Sequence, residues 1–283
     1  MDDLETRPNI TVRRPRFAFP DGIDPILVEG EPEISFIYVA MSLLLPYLEP
    51  YLIRSLRAAR KRVTDERLLS DIDLFNGQEG QHYREHMRFN EAVQMAGFEE
   101  VRALEEELSL DYERFTEKRS LRFNLAYAEG FEAYTMAVAR FSLEIDAPSR
   151  MCGPARELFE WHLMEELEHR MVAFDVYNHV TPGYLYRLFV GLYAQWHLNR
   201  FVLRVQRVML LACERGRAGD SADFERRYGG MRGRLRRTRR FLGEILRLLM
   251  PKVLSTYMPW YSPHRVAFPL AASRIAARLD AAQ

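Results

Sequence analysis

Cysteine is scarce in this chain of 283 residues, which holds only Cys152 and Cys213. Two thiols without CxxC spacing exclude a disulfide framework and a cysteine-based zinc site, so a reducing, cytoplasmic setting is expected. An excess of one charge is lacking too: 40 Lys and Arg balance 40 Asp and Glu, so the chain has no overall basic field to draw in nucleic acid. The first residues, MDDLETRPNI, are acidic and contain no apolar run, and no signal peptide is expected. Long hydrophobic runs are missing as well. The longest uncharged stretch, Ile34 to Leu48, is too short to cross a bilayer and contains Pro46. A second apolar region, Tyr184 to Ala212, is interrupted by Arg187, Arg200, Arg204 and Arg207, so no transmembrane helix is expected. Internal repeats and low-complexity tracts are absent, and strand signals are few.

What remains is 48% hydrophobic and 28% charged, enough to bury a sizeable core. Residues 1–31 are rich in proline and weak in periodicity, and read as an irregular arm. Helical patterns follow. The first covers about Glu33 to Lys61, with a kink or restart expected at Pro46 and Pro50 because proline cannot donate to the helical ladder. The second starts at the capping signal Thr64-Asp65-Glu66 and runs to Met95, before Gly97. A short acidic segment, Glu99 to Leu108, leads to a third long helix over about Lys118 to Ile145. The fourth spans about Pro154 to Val180 and stops at Thr181-Pro182-Gly183. Tyr184 to Glu214 and Asp223 to Leu249 continue the helical pattern. The expectation is an all-α, ferritin-like four-helix bundle over residues 32–182. Additional C-terminal helices from 183–283 would pack on it, making one domain overall.

Charge is unevenly placed. Residues 201–283 carry 17 basic and 6 acidic residues, so the preceding part is acidic. The run RRYGGMRGRLRRTRR (226–240) lacks interleaved aromatics, and no nucleic-acid partner is expected. Basic and apolar C-terminal helices suit peripheral contact with a membrane.

Four of the seven histidines sit in two acidic segments with apolar neighbours. In WHLMEELEHR, His162, Glu166 and His169 are spaced i, i+4, i+7 and share a helix face. In NGQEGQHYREHMRFN, Glu79, His82 and His86 are spaced i, i+3, i+7. A Glu-x-x-His pair on each of two helices, with one inward Glu on each of two others, is how helical bundles hold two metal ions. The order Glu49, Glu79-x-x-His82, Glu132, Glu166-x-x-His169 supplies that set, one element per long helix. Glu49 also reads as a cap beside Pro50, and Glu129 competes with Glu132. His162 reads as a seventh ligand. His86 reads as a further ligand or as a residue that orients one. Carboxylate and imidazole donors suit two ions of iron, with manganese and zinc as alternatives.

These segments resemble a bacterial family described as predicted metal-dependent hydrolases of the ferritin-like group. The resemblance rests on LLPYLEPYLIRSLR, FNGQEGQHYREHMRFN, GFEAYTM and WHLMEELEHRMVAFDVY, and covers about Arg14 to Tyr261. The ligand pattern is also similar to that of the p-aminobenzoate N-oxygenases. They add a histidine four residues before the last Glu-x-x-His, the place of His162 here, and use di-iron to activate O₂ on an aryl amine. Two positions depart from that pattern: Leu48 stands where a glycine is usual, and Ala133 where a histidine follows the third Glu. That resemblance does not carry over the substrate. The leading reading is a non-haem di-iron oxidase or oxygenase acting on an apolar or aromatic small molecule, with an electron donor as partner. A hydrolase with a di-metal-activated water and a non-catalytic iron-binding protein are the alternatives, and a homodimer is compatible with each. The aromatics Phe75, Tyr83, Phe89, Tyr127, Phe131, Tyr134, Phe159 and Trp161 are candidates to line a substrate pocket.

Overall fold

Helix α1 (Pro32–Ala59) is continuous through Pro46 and Pro50. The helix does not restart there, and the computed structural model, which describes residues 9–281, shows a reason. Pro46 has no N–H to give to the carbonyl of Ser42, four residues back. The side-chain amide of Asn90 donates to that carbonyl instead, at 2.9 Å.

Asn90 lies on α2 (Glu66–Ala92), which opens as expected: the Asp65 carboxylate accepts from the backbone N–H groups of Arg67 and Leu68. It ends three residues before the expected Met95. The acidic segment forms a full helix, α3 (Glu100–Lys118), longer than the sequence suggested. Its buried residues Val101, Leu108, Tyr112 and Phe115 recur at helical spacing and pack beside α1. Helix α4 (Leu121–Glu144) is capped by Ser120, whose hydroxyl accepts from the N–H of Phe123.

The fourth expected helix is two. Helix α5 (Gly153–Glu168) stops, and α6 (Val172–Val180) restarts after three residues. Buried Arg170 holds the break. Its guanidinium donates to the carbonyl of Leu167, at the end of α5, and to the carbonyls of Pro263 and Val266. His169 is therefore the first residue beyond α5, close enough to helical geometry to keep its place on the Glu166 face.

Helix α7 (Tyr184–Glu214) matches its expected span and lies against α1, α3 and α4. At its crossing with α4 the backbones meet: a Cβ on Gly130 would fall 2.2 Å from the Cα of Gly191. The last expected helix is interrupted at Gly229 and Gly230, both with positive φ. It becomes α8 (Ser221–Tyr228), α9 (Gly230–Glu244), a π-helical turn over Ile245–Leu249, and α10 (Met250–Thr256). A final helix, α11 (Leu270–Asp280), was not anticipated and packs on α5.

The result is an all-α bundle, with no β-strand among the described residues. Helix α1, with its adjoining 3₁₀ turn, is long and apolar enough to cross a membrane. Yet 72% of its most apolar window is buried within the bundle, the position of a core helix. Residues 9–31 wrap the outside without a helix, and Val12 of this arm sits over Gly77 of α2.

Candidate metal centre

Helices α1, α2, α4 and α5 bring Glu49, Glu79, His82, Glu132, His162, Glu166 and His169 together in the interior, and none of these side chains is more than 8% exposed. Nε2 of His169 stands 3.3 Å from Glu79, 3.3 Å from Glu132 and 3.6 Å from Glu166. Nδ1 of His82 stands 3.8 Å from Glu79 and 3.9 Å from both Glu49 and Glu166. Nε2 of His162 lies 3.3 Å from Glu166. The donor atoms form two groups of metal-binding size. Glu49, His82 and His162 make one; Glu79, Glu166 and His169 make the other. Glu132 adjoins the second group.

The hydrogen-bond network fixes which nitrogen of each imidazole carries a proton. At His169, Gln78 uses its NH₂ on Glu168 and the carbonyl of Thr11, so its oxygen faces Nδ1 of the ring at 3.0 Å and accepts. Nε2 is then the nitrogen that offers a lone pair once the ring is neutral. At His82, the Glu165 carboxylate, held by Arg13, accepts from Nε2 at 3.1 Å and leaves Nδ1 free. At His162 the relay is longer and begins at Pro46. The freed Ser42 carbonyl orients the amide of Asn90, so the Ser42 hydroxyl donates to the Asn90 oxygen. That hydroxyl then accepts from Nδ1 of His86 at 2.8 Å, and Nε2 of His86 accepts from Nδ1 of His162 at 3.2 Å. The remaining nitrogen, Nε2 of His162, points at Glu166. Three lone pairs thus converge with four carboxylates.

A cluster of acceptors without donors is satisfied by cations. Both oxygens of Glu49 and of Glu132, one oxygen each of Glu79 and Glu166, Nδ1 of His82 and Nε2 of His169 are buried without a hydrogen-bond partner. Such atoms are costly to bury unpaired, and they fit divalent ions. Without ions, protons take part of that place. Burial, reinforced by the neighbouring carboxylates, raises Glu49 well above the usual carboxylate range. Burial also raises Glu79, against the pull of His169. Glu132 is pushed up to about 7 by burial and then by Glu166. At Glu166 burial is outweighed by His169 and His162, and its pKa falls well below the ordinary value. Burial tends to lower His169, but Glu166 and Glu132 overcome it and raise the ring well above its ordinary value.

The two remaining sequence candidates sit differently. Both ring nitrogens of His86 are engaged by Ser42 and His162, so it orients and does not face the cluster. Glu129 turns to Arg187, at 2.8 Å, and not to the other carboxylates. Sequence reasoning missed Arg13, Gln78, Glu165 and Glu168. The glutamates lie in the same acidic motif on neighbouring faces, and only the partner across the bundle reveals their use. Arg13, in an arm without periodicity, gave no signal. It is 2% exposed, reaches Glu165 at 3.2 Å and Glu168 at 2.9 Å, and also binds Asp280 of α11 at 2.8 Å.

A cavity of about 150 Å³ is lined in part by His162 and Glu166. Its wall is mostly apolar and includes Met41, Leu44, Val138 and Leu198. Of the aromatics considered from sequence, Phe131, Tyr134 and Phe159 line it. Phe75, Phe89, Tyr127 and Trp161 are packed core, and Tyr83 is on the surface.

No curated protein and no solved structure matches the chain. A family pattern does, over residues 11–267, a span that takes in both histidine-carboxylate segments, Arg13 and the carbonyls that hold Arg170. The chain, with its paired groups of buried metal-binding side chains, belongs to the family described as predicted metal-dependent hydrolase.

Proposed function

We propose that this protein is a hydrolase that uses two metal ions to cleave an ester or amide of a small apolar molecule. The observation that carries the proposal is the convergence of three imidazoles and four carboxylates in the buried interior, two of which, His162 and Glu166, line an apolar cavity. In the proposed ligand set, Glu49, His82 and His162 hold one ion. Glu79, Glu166 and His169 hold the other, and Glu132 stands beside it. Ions bound there would supply Lewis acidity and a water activated at neutral pH. Carboxylate and imidazole donors suit iron, manganese or zinc, and iron is our expectation.

The chain supplies the rest. Glu165, Gln78 and His86 hold the three imidazoles in one tautomer, so no reorientation is needed when a cation arrives. The cavity wall takes the apolar part of a substrate and keeps bulk water from the centre, which strengthens each charge interaction there. Glu166 lies between the two groups and faces all three imidazoles. It is the carboxylate placed to couple one half of the centre to the other.

The same wall favours a second reading, oxidation of a bound apolar molecule by a di-iron centre with O₂ and an external electron donor. The family description favours hydrolysis, and we rank it first. One pair of assays separates the readings. Metal-loaded protein should cleave short-chain nitrophenyl esters under strict anaerobiosis, and the ferrous protein should take up no oxygen. Oxygen uptake without anaerobic ester cleavage would reverse the ranking. Neither activity, with metal bound, would leave iron binding without catalysis.

A further inference from the structure

The outer side of α7 is largely exposed. Its inner side, with Val190, Ala194, Phe201 and Val205, is buried in the bundle. On the opposite side stand Leu185, Phe189, Leu192, Trp196 and Leu203, each between 43% and 67% exposed. Their spacing of four, three, four and seven residues keeps them on one stripe, roughly 27 Å long by the helical rise. Scattered exposed apolar residues need no explanation, but a continuous stripe marks a contact surface.

A second stripe lies beside it. Helices α9 and α10 run antiparallel to α7. At one end the Tyr184 hydroxyl donates to the carbonyl of Tyr257 at 2.6 Å; at the other, Arg234 pairs with Glu214 at 2.8 Å. This pair of helices and the π-helical turn between them expose Leu242, Leu246 and Leu254, and Trp260 follows at 70% exposure. Arginines flank the apolar residues. Arg232, Arg236, Arg239 and Arg247 are exposed, and no carboxylate pairs with them among the described residues.

We infer that this face docks on an anionic phospholipid bilayer. The apolar stripes suit the boundary of the acyl region, the two tryptophans suit the headgroup level, and the arginines match anionic headgroups. Charge argues against a second copy as the occupant. Two such faces laid together would oppose arginine to arginine, with 17 basic and 6 acidic residues in the segment that supplies them. The outer wall of the cavity, Asn199, Leu203, Phe241 and Ile245, belongs to the same helices. Docking would set that wall against the lipid and let an apolar substrate enter without crossing water. This last consequence rests on the cavity being the substrate site; the docking does not.

The test is co-sedimentation of the metal-loaded chain with vesicles of phosphatidylcholine alone or mixed with phosphatidylglycerol. Binding to the mixed vesicles only, weakened by salt, is the expected result. The double variant F189S/W196S should bind roughly ten-fold more weakly or worse. R236E/R239E should lose about five-fold per arginine removed, with more lost for the reversed charge. Both pairs are exposed, and circular dichroism would verify the fold of each. No binding of the wild-type chain to mixed vesicles overturns the inference. So does binding that both variants retain. A wild-type dimer in sedimentation velocity that F189S/W196S dissociates, without vesicle binding, would reassign the face to self-association. Loss of ester cleavage alone would bear on the proposed function and leave the docking intact.

Discussion

At the scale of single residues, the centre is defined as much by groups that orient as by groups that face the cluster. His162→Ala removes one of three lone pairs and leaves Glu166 and His169 in place. Metal content measured by elemental analysis should fall below the wild-type ratio while the helical circular dichroism persists. If His162 were only packed core, the metal ratio would hold and the thermal midpoint would drop, for a loss of about 1–3 kcal/mol. Glu165→Gln keeps the shape beside His82 but gives up the charge that accepts from Nε2. Metal affinity should weaken by about 10–100-fold, the usual effect of losing a partner behind a ligating histidine. An unchanged affinity by competitive chelator titration would show that Glu165 serves Arg13 alone. Five of the seven candidate positions, Glu79, His82, His162, Glu166 and His169, were legible from spacing because helical periodicity decides which residues share a face; Glu49 and Glu132 came from the order of elements in the bundle pattern. The orienting groups were not legible. Ser42, Asn90, Gln78 and Arg13 act across the bundle, at sequence separations that carry no local pattern.

At the scale of elements, periodicity located the helices well and their interruptions poorly. Helix α7 came out as expected because its pattern has no competing signal. Pro46 misled because the loss of a helical hydrogen bond is local, whereas its replacement came from Asn90 on another helix. The break after Glu168 was hidden for the opposite reason. The residues there are good helix formers, and the carbonyls that hold Arg170 lie about ninety residues further along. Helix α11 is short, alanine-rich and mostly exposed, with Ala272 its one buried residue, so little in it marked a packed element. The α4–α7 crossing gives an element-scale prediction. Gly130→Ala would press a methyl group into the backbone at Gly191 and force the helices apart. The cost should be about 1–3 kcal/mol, read as a fall of several degrees in the thermal midpoint. Because Glu132 lies half a turn away, metal affinity should fall with it. A midpoint within a degree of wild type would mean that the crossing relaxes freely.

At the scale of the whole molecule, the buried carboxylates couple stability to pH in opposite directions with and without metal. Glu132 rises from an ordinary 4.5 to about 7 in the folded chain, and Glu49 and Glu79 rise as well. Between those values the folded, metal-free chain holds protons that the unfolded chain has released, so its stability falls as pH increases. His169, raised above its ordinary 6.5, adds a loss in the same direction over a higher window. Metal binding requires the deprotonated forms and strengthens with pH. His82 and His86, which burial and the charge of His162 hold well below their ordinary 6.5, oppose that loss at lower pH. Denaturant midpoints above pH 6.5 should therefore decline for the chelator-treated protein and climb for the loaded one. Parallel curves would refute the proposed ligand set. Burial of that set has one more consequence, and it concerns time. The ligand side chains have almost no contact with solvent, and the cavity that reaches His162 and Glu166 has a mostly apolar wall. An ion would have to shed its hydration shell to pass. Exchange would then wait on rare openings of the bundle. Which metal the protein carries would reflect the ions present as it folded more than their relative affinities. Cells grown on different metals should yield differently loaded protein that keeps its history through purification.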